Sequence, residues 1–413
     1  MTLEEGSQPA PARRPLVAEQ EHALVRSLVE QLYDLAPNLP LFPTLEGFNR
    51  PLVPIGGRTV LNFAGYNYLG LAHHPEVLGA AHRAIDDFGT SAGGSRLVSG
   101  QNPIHLALEE ALAAYLQVGA ALVFVGGHAT NESVIGHLLK PGDAAFVDEQ
   151  SHNSILQGVR LSGARMVPFG HNSARRCERL LARSRDRFER VLVVVEGVYS
   201  MNGDMPDLAA FVDLRERYEV TLMVDEAHSF GVIGDGRGIT AHCGVEARDV
   251  DIIMGTLSKS LASCGGFIAG RSELIEYLRY TTPGFVFSVA PPPSVAAAAL
   301  AALEVLAGGR APLEQLRHNC DLFAARARET GIEVVASPGV PIITVPLASR
   351  DRCAVTAGAL FEEGLLVQPV IYPAVNHGDE RLRFFVTAAH TDDQIGEGVS
   401  MLAKVLSAVD AGA

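Results

Sequence analysis

Short apolar runs that end in polar residues recur along the middle of the chain. Residues 220–225 and 251–256 are two of them, and each is bounded by glycine or turn-forming residues. Runs of this kind are typical of buried strands in a parallel sheet. Strands are predicted in this way at residues 120–125, 144–147, 166–169, 191–196, 221–225, 251–255 and 266–269. Helical patterns separate most of them, which predicts an α/β fold with a mostly parallel seven-stranded sheet covered on both faces.

Other patterns flank this central region. Before it, the sequence predicts an amphipathic helix at 19–35, a hairpin at 52–63 and a helix at 75–88. After it, an alanine-rich helix is predicted at 294–307, followed by strands at 331–346, 367–371 and 382–386. The Gly308-Gly309 pair between these two groups indicates a domain boundary.

The patterns together predict three parts of the chain. These are an N-terminal arm and hairpin at 1–60, a large domain at 61–307 and a smaller α+β C-terminal domain at 308–413. Residues 1–17 are polar and proline-rich and are expected to form a disordered lead.

Composition narrows the class of protein. A chain of 413 residues with a net charge of −14 is not expected to bind nucleic acid. Its five cysteines are scattered without a Cys-x-x-Cys pair, so neither a metal site nor a disulfide framework is predicted, and a reducing cytoplasm fits. The apolar stretch at 295–303 is interrupted by Glu304, and no membrane span is expected.

One lysine stands at a position where chemistry is expected. The chain holds 33 lysines and arginines together, but only Lys140, Lys259 and Lys404 are lysines. Lys259 follows one predicted strand, and Asp225 ends the strand before it. An amine that can lose its proton, next to a carboxylate, indicates pyridoxal 5'-phosphate (PLP), with Lys259 as the Schiff-base residue and Asp225 paired with the pyridinium nitrogen.

The segment around this lysine resembles a known family. Residues 255–267, Gly-Thr-Leu-Ser-Lys-Ser-Leu-Ala-Ser-Cys-Gly-Gly-Phe, resemble the lysine motif of the α-oxoamine synthases, which include serine palmitoyltransferase and aminooxononanoate synthase. The Ser-Lys-Ser-Leu-Ala-Ser version is most similar to serine palmitoyltransferase and to relatives in polyketide pathways. The resemblance extends over roughly residues 45–405 and implies the fold-type-I PLP-dependent transferase architecture.

An anion-binding site is predicted directly after the strand at 120–125. The strand at 120–125 runs into Gly126-Gly127 and a helix, and free N–H groups at a helix N-terminus favour an anion. The resemblance implies that the backbone of Gly127 and His128 holds the PLP phosphate. It also implies a hydroxyl from Thr256, and a contact from Ser288 of the neighbouring subunit.

The resemblance also assigns partners to the cofactor ring. It implies that His152 stacks on the ring, and that His228 and Ser200 hydrogen-bond its phenolate oxygen. A lone histidine is more often structural than catalytic, and polar loop residues often only cap the backbone. The candidate catalytic residues are Lys259, Asp225, His152 and His228. The two histidines are candidates to donate a hydrogen bond to the thioester carbonyl.

Arginine on the last predicted strand is the candidate for binding a substrate carboxylate. Arg381 and Arg383 alternate to the same face, so spacing alone permits either. The family motif selects Arg383, whose planar guanidinium suits a carboxylate. Asn67 resembles a family residue that lines the same pocket.

The implied reaction is a decarboxylating condensation of a small amino acid with an acyl thioester, giving an α-amino ketone. Residues 89–96 resemble the alanine-using branch in part, while the lysine motif resembles the serine-using branch, so alanine, serine and glycine all remain open. Two alternatives differ in class: another fold-type-I PLP enzyme such as an aminotransferase, and a non-catalytic partner subunit. The presence of Lys259 argues against the silent subunit.

Two partners are predicted. The cross-subunit role implied for Ser288 predicts a homodimer with shared active sites. The second partner is an acyl-carrier protein, because the segment 175–191 is predicted to be a helix with arginines at steps of three and four. Those arginines are Arg176, Arg179, Arg183, Arg187 and Arg190. A merely solvated helix face would carry the same pattern.

Overall fold

The structure, a computed structural model, describes residues 19–412; the predicted disordered lead at 1–17 lies outside them. The strands within this range are β1 Leu52–Ile55, β2 Arg58–Asn62, β3 Ala120–Phe124, β4 Ala144–Asp148, β5 Arg165–Phe169, β6 Val191–Glu196, β7 Thr221–Asp225, β8 Ile252–Thr256, β9 Gly266–Gly270, β10 Ile342–Pro346, β11 Leu365–Leu366, β12 Gln368–Val370 and β13 Arg381–Phe385. The helices are α1 Glu19–Leu35, α2 Pro75–Phe88, α3 Pro103–Leu116, α4 Gly127–Leu138, α5 Asn153–Ser162, α6 Ala174–Ser184, α7 Leu208–Tyr218, α8 Ile239–His242, α9 Ser272–Thr281, α10 Pro283–Val286, α11 Pro293–Gly308, α12 Ala311–Glu329, α13 Arg350–Glu362 and α14 Asp392–Gly412.

A seven-stranded sheet forms the centre of the molecule, in the order β3-β9-β8-β7-β6-β4-β5. All neighbouring strands are parallel except β9, which runs antiparallel to both β3 and β8. The predicted fold class, an α/β fold with a mostly parallel sheet, is confirmed. Because β4, β6, β7 and β8 run the same way, the polar residues that end them meet at one edge of the sheet.

Alternation along each strand divides the core between the two faces of this sheet. In β6, Val193 and Val195 belong to one buried cluster, and Leu192 and Val194 belong to another. Side chains on a strand point alternately to opposite faces, so a continuous apolar run is what a sheet covered on both sides requires. Burying each such side chain contributes about 1.5–3 kcal/mol.

Two three-stranded sheets accompany the large one. One has the order β10-β13-β12, and the other joins the hairpin β1-β2 to β11. The predicted strand at 331–346 is realised only at Ile342–Pro346, with a single bridge from Val335 to Thr344. Pro338 and Pro341 interrupt the earlier part, because proline has no N–H to donate to a ladder. The domain limits remain predictions.

The helix predicted across 175–191 is shorter than expected, and this prediction was wrong. Helix α6 ends at Ser184, a 3-10 turn follows, and Phe188 is extended. The Arg185 side chain donates to the carbonyls of Phe188, Tyr218 and Glu219, which holds the chain in this turn. Arg187 and Arg190 therefore do not continue the helical arginine stripe.

Within residues 19–412, no individual helix combines the length and apolar character needed to cross a bilayer. The pair α11 and α12 meets the requirement of length and composition when the two are taken together, but they meet at a bend of 81°.

Candidate active site

The polar strand ends enclose a cavity of about 170 Å³ at the carboxyl edge of the large sheet. Its walls come from the ends of β6, β7 and β8, from the first turn of α4 and from the segment before α5. The lining residues are Tyr66, Gly127, His128, Asn131, His152, Ser154, Glu196, Asp225, Ala227, His228, Met254, Thr256, Ser258 and Lys259. Seven of the predicted site residues are thus brought together.

Lys259 lies in the turn that follows β8, and its side chain reaches into this cavity. Its Nζ atom lies 5.9 Å from the centroid of the Tyr66 ring. Burial lowers the pKa of the Lys259 amine to about 8, although the nearby carboxylates of Asp225 and Glu196 act in the opposite direction. A substantial fraction of the amine is therefore neutral near pH 8, as a nucleophile or a base must be.

Asp225, the last residue of β7, is buried and held through both oxygens. Asn131 Nδ2 donates to its Oδ2 at 2.7 Å, and the backbone N–H of Ala227 donates to its Oδ1 at 2.9 Å. Glu196 lies beside it in register on β6. Burial and the charge of Asp225 raise the pKa of Glu196 well above its ordinary value.

His152 caps the N-terminus of α5 and is held by its backbone and its ring. Its N–H donates to Glu196, and its Nδ1 lies 2.7 Å from the hydroxyl of Ser154. The backbone N–H of Ser154 also points at Nδ1, at 3.3 Å. A backbone N–H can only donate, so Nδ1 is an acceptor and the proton of the neutral ring resides on Nε2.

The two cavity histidines are both neutral near pH 7. Burial lowers the pKa of His152, with Lys259 and Arg383 adding to the effect against Asp225. Burial also lowers the pKa of His228 well below its ordinary value, again reinforced by Lys259 and Arg383. His228 Nδ1 is 2.8 Å from the buried hydroxyl of Tyr68, which fixes the orientation of the ring.

The first turn of α4 forms a close cradle against the end of β8. A Cβ atom placed on Gly127 would lie only 2.9 Å from Oγ1 of Thr256, so a larger residue does not fit there. The N–H groups of the first helical turn have no partner within the helix and favour an anion. With an amine, a carboxylate and an anion cradle around one cavity, the edge fits PLP.

Four predicted residues lie outside this cavity. Ser200 lines a neighbouring cavity of about 450 Å³ that shares the His152 wall, and its carbonyl accepts from Arg383 at 2.8 Å. The second terminal nitrogen of Arg383, Nη2, donates to Gln368 at 2.6 Å. Asn67 is buried and donates to the carbonyl of Asn49 at 3.3 Å. Ser288 is half-buried and its hydroxyl donates to the carbonyl of Val289, so its predicted role across a subunit boundary stays a prediction.

Some residues at this edge had no predicted role. Glu196 ends β6 just as Asp225 ends β7, and that parallel was the signal available in the sequence. His171 bridges Asp148 and Asp204 with its two ring nitrogens, at 2.8 and 2.7 Å. The two carboxylates raise the pKa of His171 to about 10. Asp148, His171 and Asp204 are far apart in the sequence, so no local pattern predicted that they would form a cluster.

The chain is similar in sequence to known proteins of one family. Residues 58–402 match the model of the family "Aminotransferase class I and II". The 8-amino-7-oxononanoate synthase of Geobacter sulfurreducens is 39% identical over 365 residues, covering 88% of this chain and 93% of that protein. The serine palmitoyltransferase of Bacteroides ovatus is 37% identical over 372 residues, covering 90% of this chain and 94% of that protein.

A solved structure agrees with these relatives. The serine palmitoyltransferase of S. paucimobilis, solved with a bound PLP–myriocin aldimine, superposes with a TM-score of 0.91 at 30% identity, covering 96% of this chain and 100% of that one. The chain therefore belongs to the aminotransferase class I and II family and, within it, to the α-oxoamine synthases, PLP-dependent acyltransferases that condense an amino acid with an acyl thioester and release carbon dioxide.

Proposed function

We propose that the chain carries out this condensation with alanine, serine or glycine in the cavity around Lys259. The observation that carries the proposal is the placement of Lys259 and Asp225 after neighbouring strands, facing one cavity of about 170 Å³. Because PLP would occupy most of this space, the room left beside it favours an amino acid with a small side chain.

The residues of the cavity divide into groups that would hold the cofactor. Asp225 would hold the pyridine nitrogen, and His152 would face the ring. The backbone of Gly127 and His128 and the hydroxyl of Thr256 would hold the phosphate, with Ser288 added by a second subunit. His228 and Ser200 would bond the ring oxygen. When bound, PLP supplies an aldehyde that reacts with amines and a ring that accepts electrons from the substrate.

The chain's own contribution is to move protons and to orient the substrates. With a pKa near 8, Lys259 can serve as the base that takes the α-proton of the amino acid. His152 presents a neutral Nε2–H, a donor suited to the carbonyl oxygen of the incoming thioester. The fork of Arg383 would bind the amino acid carboxylate, and Asn67 would complete that side of the pocket.

Trapping the lysine tests the site directly. Borohydride reduction of the PLP-loaded enzyme, followed by peptide mapping, is expected to place the pyridoxyl label on Lys259. A label on Lys140 or Lys404 would overturn the assignment. Incubation with carboxyl-labelled alanine, serine or glycine and an acyl thioester is expected to release labelled carbon dioxide with one of the three. Ketone–amine exchange without that release would instead indicate an aminotransferase.

We also propose a homodimer in the cytoplasm. Phe287 and Val289, on either side of Ser288, are 85% and 49% exposed, and Val98 is 83% exposed. The N–H of Ala290 bonds the carbonyl of Gly94, so the two segments form one apolar surface that a second copy would cover. Sedimentation is expected to show a dimer, and a monomer that is fully loaded with PLP would contradict the proposal. The free cysteines fit a reducing compartment.

An acyl-carrier protein is the thioester donor that the surface of α6 supports. Arg176, Arg179 and Arg183 are exposed there, and among the described residues none of them pairs with a carboxylate within 4.0 Å. Glu178, the acidic residue between them, is bound by Arg217 instead. Since the whole chain has a net charge of −14, this strip is a local exception that can attract an acidic carrier.

Charge reversal on α6 tests the carrier. Replacing Arg176, Arg179 and Arg183 with glutamate is expected to lower turnover with a carrier-bound thioester, most at low salt, where screening is weakest. Turnover with a coenzyme A thioester should change less. Reversal of Arg326 and Arg328 on α12 serves as the matched control. Equal losses with both donors, or no loss with either, would leave the strip without a docking role.

A further inference from the structure

Asn131 joins two groups of the active site that lie on different elements. It is buried in α4, and its Nδ2 donates to Oδ2 of Asp225 at 2.7 Å and to Oγ of Ser154 at 2.9 Å. One amide nitrogen carries two hydrogens, so each acceptor receives one of them. The opposite orientation of the amide is excluded, because it would place the Asn131 oxygen against the Asp225 carboxylate.

The bond from Asn131 to Ser154 fixes the direction of hydrogen-bond donation between Ser154 and His152. Ser154 Oγ accepts from Asn131, so its own hydrogen is free to donate to His152 Nδ1, 2.7 Å away. The backbone N–H of Ser154 points at the same nitrogen. The order of donation is therefore Asn131 to Ser154 to His152, and it ends with the His152 proton on Nε2, inside the cavity.

The unused atom of Asn131 supports a role in the site. Its Oδ1 is buried and has no hydrogen-bond partner among the described residues. An unpaired buried acceptor has a cost that a residue serving only stability would be expected to avoid. Asn131 therefore has an unpaired Oδ1, while both hydrogens of its Nδ2 are donated to active-site groups.

We propose that Asn131 is a positioning residue that orients the Asp225 carboxylate and, through Ser154, keeps the His152 imidazole in its Nε2–H form. The inference rests on the proposed function, in which Asp225 holds the cofactor and His152 donates to the thioester carbonyl. A neutral amide meets both requirements with its two hydrogens, whereas a carboxylate cannot donate and a hydroxyl has one hydrogen.

The isosteric substitution Asn131→Asp reverses this arrangement. A carboxylate at that position would accept the Ser154 hydrogen, so that a serine lone pair faces His152 Nδ1 at 2.7 Å and opposes the backbone N–H of Ser154 at 3.3 Å, which raises the fraction of rings with the proton on Nδ1. It would also repel Asp225. Asn319→Asp is the matched control, because Asn319 is an equally buried amide whose two hydrogens go to backbone carbonyls of Thr387 and His390, outside the cavity.

The test uses the full chain and has a readout that needs no bound cofactor. Nitrogen NMR of the PLP-free protein labelled at histidine is expected to show His152 with its proton on Nε2 in the parent and in Asn319→Asp. In Asn131→Asp the fraction of His152 with the proton on Nδ1 is expected to rise, against the remaining bond from the Ser154 backbone N–H. PLP affinity is expected to fall by about tenfold or more in Asn131→Asp, the equivalent of one hydrogen bond to a charged group, and to change less than about twofold in the control.

The outcomes separate this inference from the proposed function. Failure of the parent protein to bind PLP would count against the function, whatever the NMR shows. An unchanged Nε2–H fraction and unchanged PLP affinity in a folded Asn131→Asp would overturn the inference alone. If that variant does not fold, Asn131→Leu and Asn319→Leu replace the pair. Equal PLP affinity in these two would likewise overturn it.

Discussion

Two neighbouring regions at the carboxyl edge of the sheet hold histidine in opposite protonation states. In the cavity, the His228 ring has one hydrogen-bond partner among residues 19–412, the Tyr68 hydroxyl, and lies near the cations Lys259 and Arg383. In the adjacent cluster, His171 lies between two carboxylates that accept from both of its nitrogens. The first ring is therefore neutral, whereas the second is a cation.

This difference follows from the charges that face each ring. Carboxylate neighbours on both sides make the protonated form of His171 the stable one, and the resulting cation joins β4 to the loop that carries Ser200. Cations and burial around His228 and His152 keep those rings neutral, able to donate at one nitrogen and accept at the other. One region uses histidine as a fixed charge and the other as an adjustable hydrogen-bonding group.

The largest effect is expected from removing Lys259, one of two cations that, in addition to burial, lower the pKa values of the cavity histidines. Lys259→Ala removes the amine and is expected to lower turnover by about 10⁴-fold or more, because both the base and the covalent attachment are lost. The pKa values of His152 and His228 should rise in the PLP-free variant, as seen by NMR titration. Turnover within about tenfold of the parent would contradict the assignment of Lys259.

Removing the charged histidine is expected to affect stability rather than chemistry. His171→Leu leaves Asp148 and Asp204 without their common partner, and loss of one member of a buried ion pair costs about 3–5 kcal/mol. Urea unfolding measures this change. His318→Leu is the control, since His318 pairs with Asp392 at the surface, where such pairs contribute about 0–1 kcal/mol. Equal losses in the two variants would contradict a structural cation at His171.

Replacing Arg383 with lysine separates charge from shape within the cavity region. The cation is retained, so the pKa of His228 is expected to stay low, but the planar fork that would bind a carboxylate is lost. The KM for the amino acid is expected to rise by about 10- to 100-fold, as the loss of a charge-assisted hydrogen bond predicts. An unchanged KM would assign carboxylate binding to Arg381 instead.

The smallest effect is in the pH dependence of stability, where the two regions have opposite signs. The pKa of His171 is raised from its ordinary 6.5 to about 10, so its contribution is complete below pH 6.5 and is lost as the pH rises toward 10. The pKa of His228 is lowered, so its contribution is lost as the pH falls through 6.5.

Comparison of the parent with His171→Leu isolates the contribution of His171 to the pH dependence of stability above pH 7. The difference in free energy of unfolding is expected to shrink by about 1–2 kcal/mol between pH 7 and pH 9. This is below the limit of about 2.8 kcal/mol that one group can give over two pH units, because His171 and Asp204 are partly exposed. A difference that stays constant over this range would mean that His171 is not a cation in the folded protein.

Sequence patterns predicted those features that depend on residues close together in the chain. The apolar runs of β4, β6, β7 and β8 located the strands, and the polar residues at their ends located Asp225 and Lys259. Helix α6 was predicted too long, because its end depends on contacts of Arg185 with the distant carbonyls of Tyr218 and Glu219. The local arginine periodicity contains no information about those contacts.

Polar networks were the part that could not be predicted. Asn131 reaches Asp225 across 94 positions of sequence, and His171 reaches Asp204 across 33. Such pairs leave no periodic signal, since hydrogen-bond partners are selected by the folded arrangement and not by spacing. The family resemblance named residues that would contact the cofactor, but these supporting residues became visible only in three dimensions.

The pairing of β2 with β11 has a consequence for the order in which a newly made chain becomes competent. The N–H of Ala388 bonds the carbonyl of Tyr68, and Leu365 pairs with Leu61. On the ribosome, all seven strands of the large sheet are complete once Gly270 has emerged, yet Tyr68 cannot be fixed beside His228 until more than a hundred further residues follow. In a nascent chain the central sheet would therefore be complete well before the active site. A truncated product ending before β11 would lack the backbone contact that anchors Tyr68.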